Sequence, residues 1–176
     1  IYAANEVFNT EWSSELSAEE AGNEYIKAFL LIHVLKRELS LTGNPNPHFI
    51  ISVGYDLKGI RSNPVDTFLN SMKDAAHTEE WQKDIAFLKE HQKDFQNLTL
   101  EDIEELEQNS CISDTVTLST MHGCPADEIE EIILYLLEQK DFNTMVKLNP
   151  TLIGQEKTKE LLFQKGYGSL TWSQES

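Results

Sequence analysis

Two short runs carry side chains able to do chemistry. Thr120-Met121-His122-Gly123-Cys124-Pro125 brings a hydroxyl, an imidazole and a thiol together, and Lys147-Leu148-Asn149 brings an ammonium and an amide. Lys147 ends a short apolar run, Thr144–Leu148, that reads as a buried strand. A cation there costs stability unless it finds a partner or its stem packs while its head reaches water. Both readings stand for Lys147: a functional cation or a snorkelling side chain. Cys124 precedes Pro125, which suits the first position of a helix because its missing N–H is unpaired there anyway. A thiol at a helix N-terminus is acidified and reactive, whereas the same residue in a tight turn is an N-cap. His122 fits either a hydrogen-bond donor or acid, or a loop-stabilising residue.

The elements around these runs are what would bring them together. Thr115–Thr120 is rich in β-branched residues and reads as a strand. Ile129, Ile132, Ile133, Leu136 and Leu137 form one face of a helix opened by Pro125, with Asp127 and Glu128 at the positive end of its dipole. With Thr144–Leu148 following, this is a βαβ unit with a right-handed parallel crossover. Ligands of such units sit beyond the carboxyl ends of the strands, which groups Thr120, His122 and Cys124 with Lys147 and Asn149. A third strand end belongs there. Phe49–Tyr55 reads as a strand covered on both faces, and it leads into Gly54-Tyr55-Asp56-Leu57-Lys58-Gly59, whose glycines serve a turn or a close approach to ligand.

The rest of the chain is mostly helical. Residues 1–16 read as a loop. Ser17 and Glu20 form a capping box that opens a helix running to about Leu39, with Ala21, Tyr25, Phe29, Ile32 and Leu39 along one side and His33 as a structural histidine. Pro64 opens a helix that buries Val65, Phe68, Leu69 and Met72. The next buries Trp81, Ile85, Leu88 and Phe95, and a short acidic one spans Leu98–Glu107. A helix from Gln155 to Gln164 stops at Gly166, and Tyr167–Trp172 reads as a fourth strand. The fold class is therefore α/β: parallel βα units, about four strands, with a helical elaboration over residues 60–110, in a single domain spanning 1–176. A closed (β/α)8 barrel needs about 250 residues, so the expectation is a partial TIM barrel.

Composition narrows the function classes. The formal charge of −16 disfavours a phosphate-backbone surface, and no polybasic patch or apolar run suits a membrane. Nucleic acid and membrane partners are not expected. With only two cysteines, Cys111 and Cys124, neither a four-cysteine iron–sulfur cluster nor a structural zinc site can be built within the chain, and no metal site is expected. The N-terminus lacks a secretory pattern, so the expected location is cytoplasmic. The chain begins at Ile1 and resembles an internal fragment.

Four phrases carry a family resemblance: residues 8–13, Ser52–Ile60, Leu118–Pro125 and Val146–Leu152. They resemble the selenate reductase iron–sulfur/flavin subunits, large bacterial proteins related to dihydropyrimidine dehydrogenase and, more distantly, dihydroorotate dehydrogenase. The resemblance implies an FMN-type dehydrogenase barrel within an oxidoreductase, with these strands as roughly the third to sixth. FMN, or another flavin, would be bound by the complete domain and not retained by the fragment, and iron–sulfur clusters would lie elsewhere in the parent. It implies that Lys147 reaches the flavin ring, that Asn149, Thr120 and Asp56 line the cofactor side, and that Cys124 and His122 are the catalytic candidates. Asp56 falls where close relatives have asparagine, and the substrate-gripping asparagine of the related dehydrogenases is missing from the Ser119–Pro125 run, so neither pyrimidine nor dihydroorotate is transferred as substrate. That change supports a second reading, a non-catalytic scaffold or interaction domain whose barrel no longer binds flavin. Expected partners are the remaining domains of the parent chain and, through open sheet edges, a second copy.

Overall fold

The computed structural model describes residues 7–10, 16–41, 48–120, 125–148 and 154–167. Four strands form one parallel sheet in sequential order: β1 (Val7–Thr10), β2 (His48–Val53), β3 (Thr115–Ser119) and β4 (Asn143–Lys147). Between β1 and β2 runs α1 (Ala18–Glu38). Between β2 and β3 run α2 (Leu57–Ile60), α3 (Asn63–Lys73), α4 (Glu79–Glu90) and α5 (Leu100–Gln108), the expected helical elaboration. The β3–β4 crossover is α6 (Ile129–Leu134) continued by a π-helical turn at Tyr135–Gln139, and α7 (Gln155–Gln164) follows β4. Sequential parallel strands with helical crossovers are the partial TIM barrel that the alternating pattern implied.

Strand periodicity divides the sheet into two unlike faces. Phe49, Ile51, Val53, Val116 and Leu118 are buried in one apolar core with Phe29 of α1, Leu69 and Met72 of α3, Trp81 of α4 and Ile132 of α6. The Phe29 ring lies 5.4 Å from that of Phe49 and 6.2 Å from that of Trp81. Alternate residues point the other way, because successive side chains leave opposite faces of a strand. The register aligns Ile50 with Thr115, Ser52 with Thr117, Thr117 with Met145 and Ser119 with Lys147. That second face is poor in large apolar groups, and Met145 on it is 44% exposed. In a βα barrel it is the inward face.

Several elements begin and end where their capping chemistry dictates. Ser17 accepts from Glu20 N while Glu20 accepts from Ser17 N, closing the capping box that starts α1. At the end of α7, Gly166 sits at φ +89°, Gly166 N–H donates to Phe163 O and Tyr167 N–H to Leu162 O, a Schellman ending.

Five sequence expectations are corrected. Residues 7–10 are strand rather than loop; their extended form is set by pairing with β2, which a four-residue run cannot announce by periodicity. The crossover helix starts at Ile129, not Pro125, since Glu128 N–H donates to Pro125 O in a preceding turn. Leu137 is 44% exposed because the π turn rotates the apolar stripe, bringing Tyr135 inward instead. Leu39 is the C-cap of α1 and 60% exposed, and the buried side of that helix runs through Ile26, Leu30 and Val34. Tyr167 lies in no strand, and 168–172 fall outside the described residues.

Candidate functional site at the carboxyl edge of the sheet

All four strands are parallel, so their carboxyl ends share one edge. Lys147 is the last residue of β4, half-buried, on the inward face and paired in register with Ser119. The face beside it is built from short hydroxyl residues. Thr117 and Ser52 are buried, and Ser52 Oγ donates to Thr117 O at 3.3 Å. Met145, two residues before Lys147 on the same face, supplies a polarisable apolar surface beside these hydroxyls.

Thr120 follows β3 and sits half-buried. Its hydroxyl donates to the Lys147 carbonyl, fastening the ends of β3 and β4 together. One hydroxyl proton goes to that carbonyl, so Thr120 offers only lone pairs to anything else. Asp56 lies beyond β2 as the N-cap of α2: its carboxylate accepts from Gly59 N at 2.7 Å. Gly59 has no room for a side chain, since a Cβ there would lie 2.7 Å from Tyr55 Cβ and 2.9 Å from Asp56 Oδ1. The glycine therefore serves the cap. His122, Cys124 and Asn149 lie outside the described residues. The argument that placed Cys124 at a helix N-terminus loses its basis, because α6 begins at Ile129.

One functional-edge residue escaped sequence reasoning. Glu128, immediately before α6, reaches across to α2 and accepts from Leu57 N at 2.6 Å. The sequence held a weak sign of it, an acid at a helix start, but nothing in the chain order marks a partner 71 positions away. Leu57 N and Gly59 N are thus both taken by carboxylates, and this short helix start is closed to an external anion.

Other titratable residues belong to the scaffold. His33 Nδ1 bonds to Phe29 O at 2.9 Å, and burial pushes its pKa down, as a structural histidine requires. Burial raises the pKa of the Cys111 thiol, aided by Asp114, which makes it a poor nucleophile. Among the described residues no cluster of three His, Cys, Asp or Glu side chains is arranged to hold a metal ion, and no helix is long and apolar enough to cross a membrane.

Parallel strands in sequential order, each joined to the next by a helical crossover, fit the TIM-barrel class. The family model for "Oxidoreductase YgfK, N-terminal TIM-barrel domain" matches residues 1–176, and the chain belongs to that family. The YgfK proteins of Escherichia coli strain K12 and of Escherichia coli O157:H7 are each 38% identical to it over 187 residues, covering 100% of this chain. The chain spans 18% of the length of those relatives. No solved structure matches it.

Proposed function

We propose that this domain forms part of a flavin site in an oxidoreductase, with Lys147 facing the N1–C2=O edge of an FMN-type ring. The observation that carries the reading is Lys147 itself: a half-buried cation at the carboxyl end of β4, on the inward face, beside Ser119. The neighbouring residues fit the group. Ser119, aligned with Lys147, and Thr117 and Ser52 on the same face carry hydroxyls, which suit the polar edge of such a ring. A bound flavin would supply electron and hydride exchange. The ammonium of Lys147 would favour the ring when it carries negative charge, a preorganised electrostatic effect that a low-dielectric barrel interior strengthens. The Thr120 bond holds the Lys147 backbone so that the cation keeps its direction. By sequence position His122 and Cys124 follow β3, and we assign the substrate side to them, while Asn149 follows β4 and stays with Lys147 on the cofactor side. Iron–sulfur clusters that exchange electrons with the flavin belong, in this reading, to other domains of the longer polypeptide.

The test is the visible absorbance of the purified full-length protein after desalting. Flavin bands present in the wild type and lost or strongly reduced in Lys147→Ala support the assignment. Equal flavin content in the two proteins removes Lys147 from the site.

A second reading, a barrel that serves as scaffold without flavin, is favoured by one observation. Asp56 is committed to the N-terminus of α2, so one of the residues expected at a cofactor already has a structural duty. A wild-type full-length protein free of flavin would favour this reading.

A further inference from the structure

Two loops at the carboxyl edge, far apart in sequence, are fastened to each other. The first follows β2 and carries Asp56 and α2; the second follows β3 and leads into α6. Two contacts join them, and a third ties the same crossover to α3. The Glu128 carboxylate, half-buried, accepts from Leu57 N at 2.6 Å. Arg61, the C-cap of α2, lays its guanidinium 4.9 Å from the centre of the Tyr135 ring in the π-helical turn that continues α6. The Tyr135 hydroxyl donates to Asp66 Oδ1 at 2.8 Å, in the first turn of α3. The two ends of α2 are thus held by the same crossover, the N-terminus through Glu128 and the C-terminus through Tyr135.

The chemistry of the first contact is strong for its size. A carboxylate accepting from a main-chain N–H is a charge-assisted bond, about twice the strength of a neutral one. It meets a helix start, where the peptide dipoles favour negative charge. Asp56 takes the neighbouring Gly59 N–H. Removing Glu128 therefore frees one donor of α2 and leaves the other capped, which isolates the contact between the loops from the local cap.

From this arrangement we infer that Glu128 is a positioning residue for the mouth of the barrel, holding the β2 loop in fixed register with the β3 crossover. At the same edge the Thr120 hydroxyl ties β3 to β4 through the Lys147 carbonyl. A change at the β2 loop is then felt at the β3 crossover. The part of this inference that concerns cofactor geometry rests on the flavin assignment above. The coupling between the loops does not.

The experiment separates the two. In the full-length protein, deuterium exchange of the backbone amides in Tyr55–Ile60 is compared for wild type, Glu128→Ala and Glu128→Gln. The coupling predicts that Glu128→Ala speeds exchange of the Leu57 amide at least tenfold, while Glu128→Gln, which keeps an acceptor oxygen, stays within about threefold. Leu57 exchange in Glu128→Ala within twofold of wild type overturns the inference. The same proteins are then examined for flavin. Loss of flavin or a displaced absorbance band in Glu128→Ala, restored in Glu128→Gln, supports the positioning role. A perturbed Leu57 amide with unchanged flavin content and spectrum overturns that role and leaves the flavin assignment standing. A wild type without flavin overturns the flavin assignment and the positioning role that rests on it, while the exchange data still decide the coupling.

Discussion

The hydroxyl of Thr120 donates to the main-chain carbonyl of Lys147, so the ends of β3 and β4 are joined beyond their last ladder pair, Ser119 with Lys147. The bond links two residues on either side of the α6 crossover and fixes the base from which the Lys147 side chain extends. Replacing Thr120 by valine keeps the shape and deletes the donor. A half-buried carbonyl that loses its partner costs about 1 kcal/mol. Urea denaturation of Thr120→Val should give a lower midpoint with an unchanged slope, since the loss is local and the surface exposed on unfolding stays the same.

Gly59 tests how tightly the α2 cap is built. Alanine in a helix is favoured over glycine by about 1 kcal/mol. Here the added Cβ would meet Tyr55 Cβ at 2.7 Å and the capping oxygen of Asp56 at 2.9 Å, and overpacking of that kind costs about 1–3 kcal/mol. The clash outweighs the propensity, so Gly59→Ala should destabilise on chemical denaturation. At Gly166, φ +89° with nothing within 4 Å of a Cβ, alanine should cost about 1 kcal/mol from backbone strain alone.

The Asp66–Tyr135–Lys140 group predicts opposite pH limits. The Lys140 ammonium bonded to Asp66, assisted by the Tyr135 hydroxyl, holds the Asp66 carboxyl below its usual value of 3.8. The unfolded chain therefore binds more protons near that pH, and this contribution is present above 3.8 and lost as pH falls through the folded value. Burial, with the bond to Asp66, pushes Tyr135 up to about 12 from 10.0. Here the folded protein keeps the proton that the unfolded chain releases, so stability is retained below 10.0 and lost as pH rises toward 12. Asp66→Asn should flatten the acid limb of a stability–pH profile. It should also lower the Tyr135 midpoint in an ultraviolet titration without returning it to 10.0, because burial, the larger cause, remains.

The open flank of β4 predicts association. Among the described residues β4 pairs with β3 alone, and Met145 and Leu148 are 44% and 60% exposed. An unpaired strand edge with apolar neighbours invites another strand. The 176-residue piece on its own should show sedimentation that rises with concentration. A compact monomer throughout the concentration range would contradict this.

What sequence reading reached was set by the range of each signal. The capping box at Ser17 and the glycine ending at Gly166 are encoded within a few residues, and both fall where the pattern put them. The strands β2 and β3 were legible because buried parallel strands are short apolar or β-branched runs, and β4 was found by the same pattern although none of its residues is buried. β1 was not, because its conformation is supplied by the neighbour it pairs with. The start of α6 was misread from Pro125, which fits a turn as readily as a first helical position. The position of Lys147 at a carboxyl edge followed from strand order, but its inward direction needed the register with Ser119. The Glu128–Leu57 bond is a tertiary event that no local pattern records.

The central claim is that the Lys147 cation is part of a flavin site, and the most direct measurement is an FMN titration of flavin-depleted full-length protein, followed by quenching of flavin fluorescence. Lys147→Ala is compared with wild type and with Lys73→Ala, whose ammonium bonds Asp141 just before β4, at the opposite, amino-terminal end of the sheet. The account predicts that Lys147→Ala weakens FMN binding at least tenfold, about 1.4 kcal/mol, while Lys73→Ala leaves it within twofold. Equal affinities for wild type and Lys147→Ala, or no binding by any of the three proteins, would contradict it.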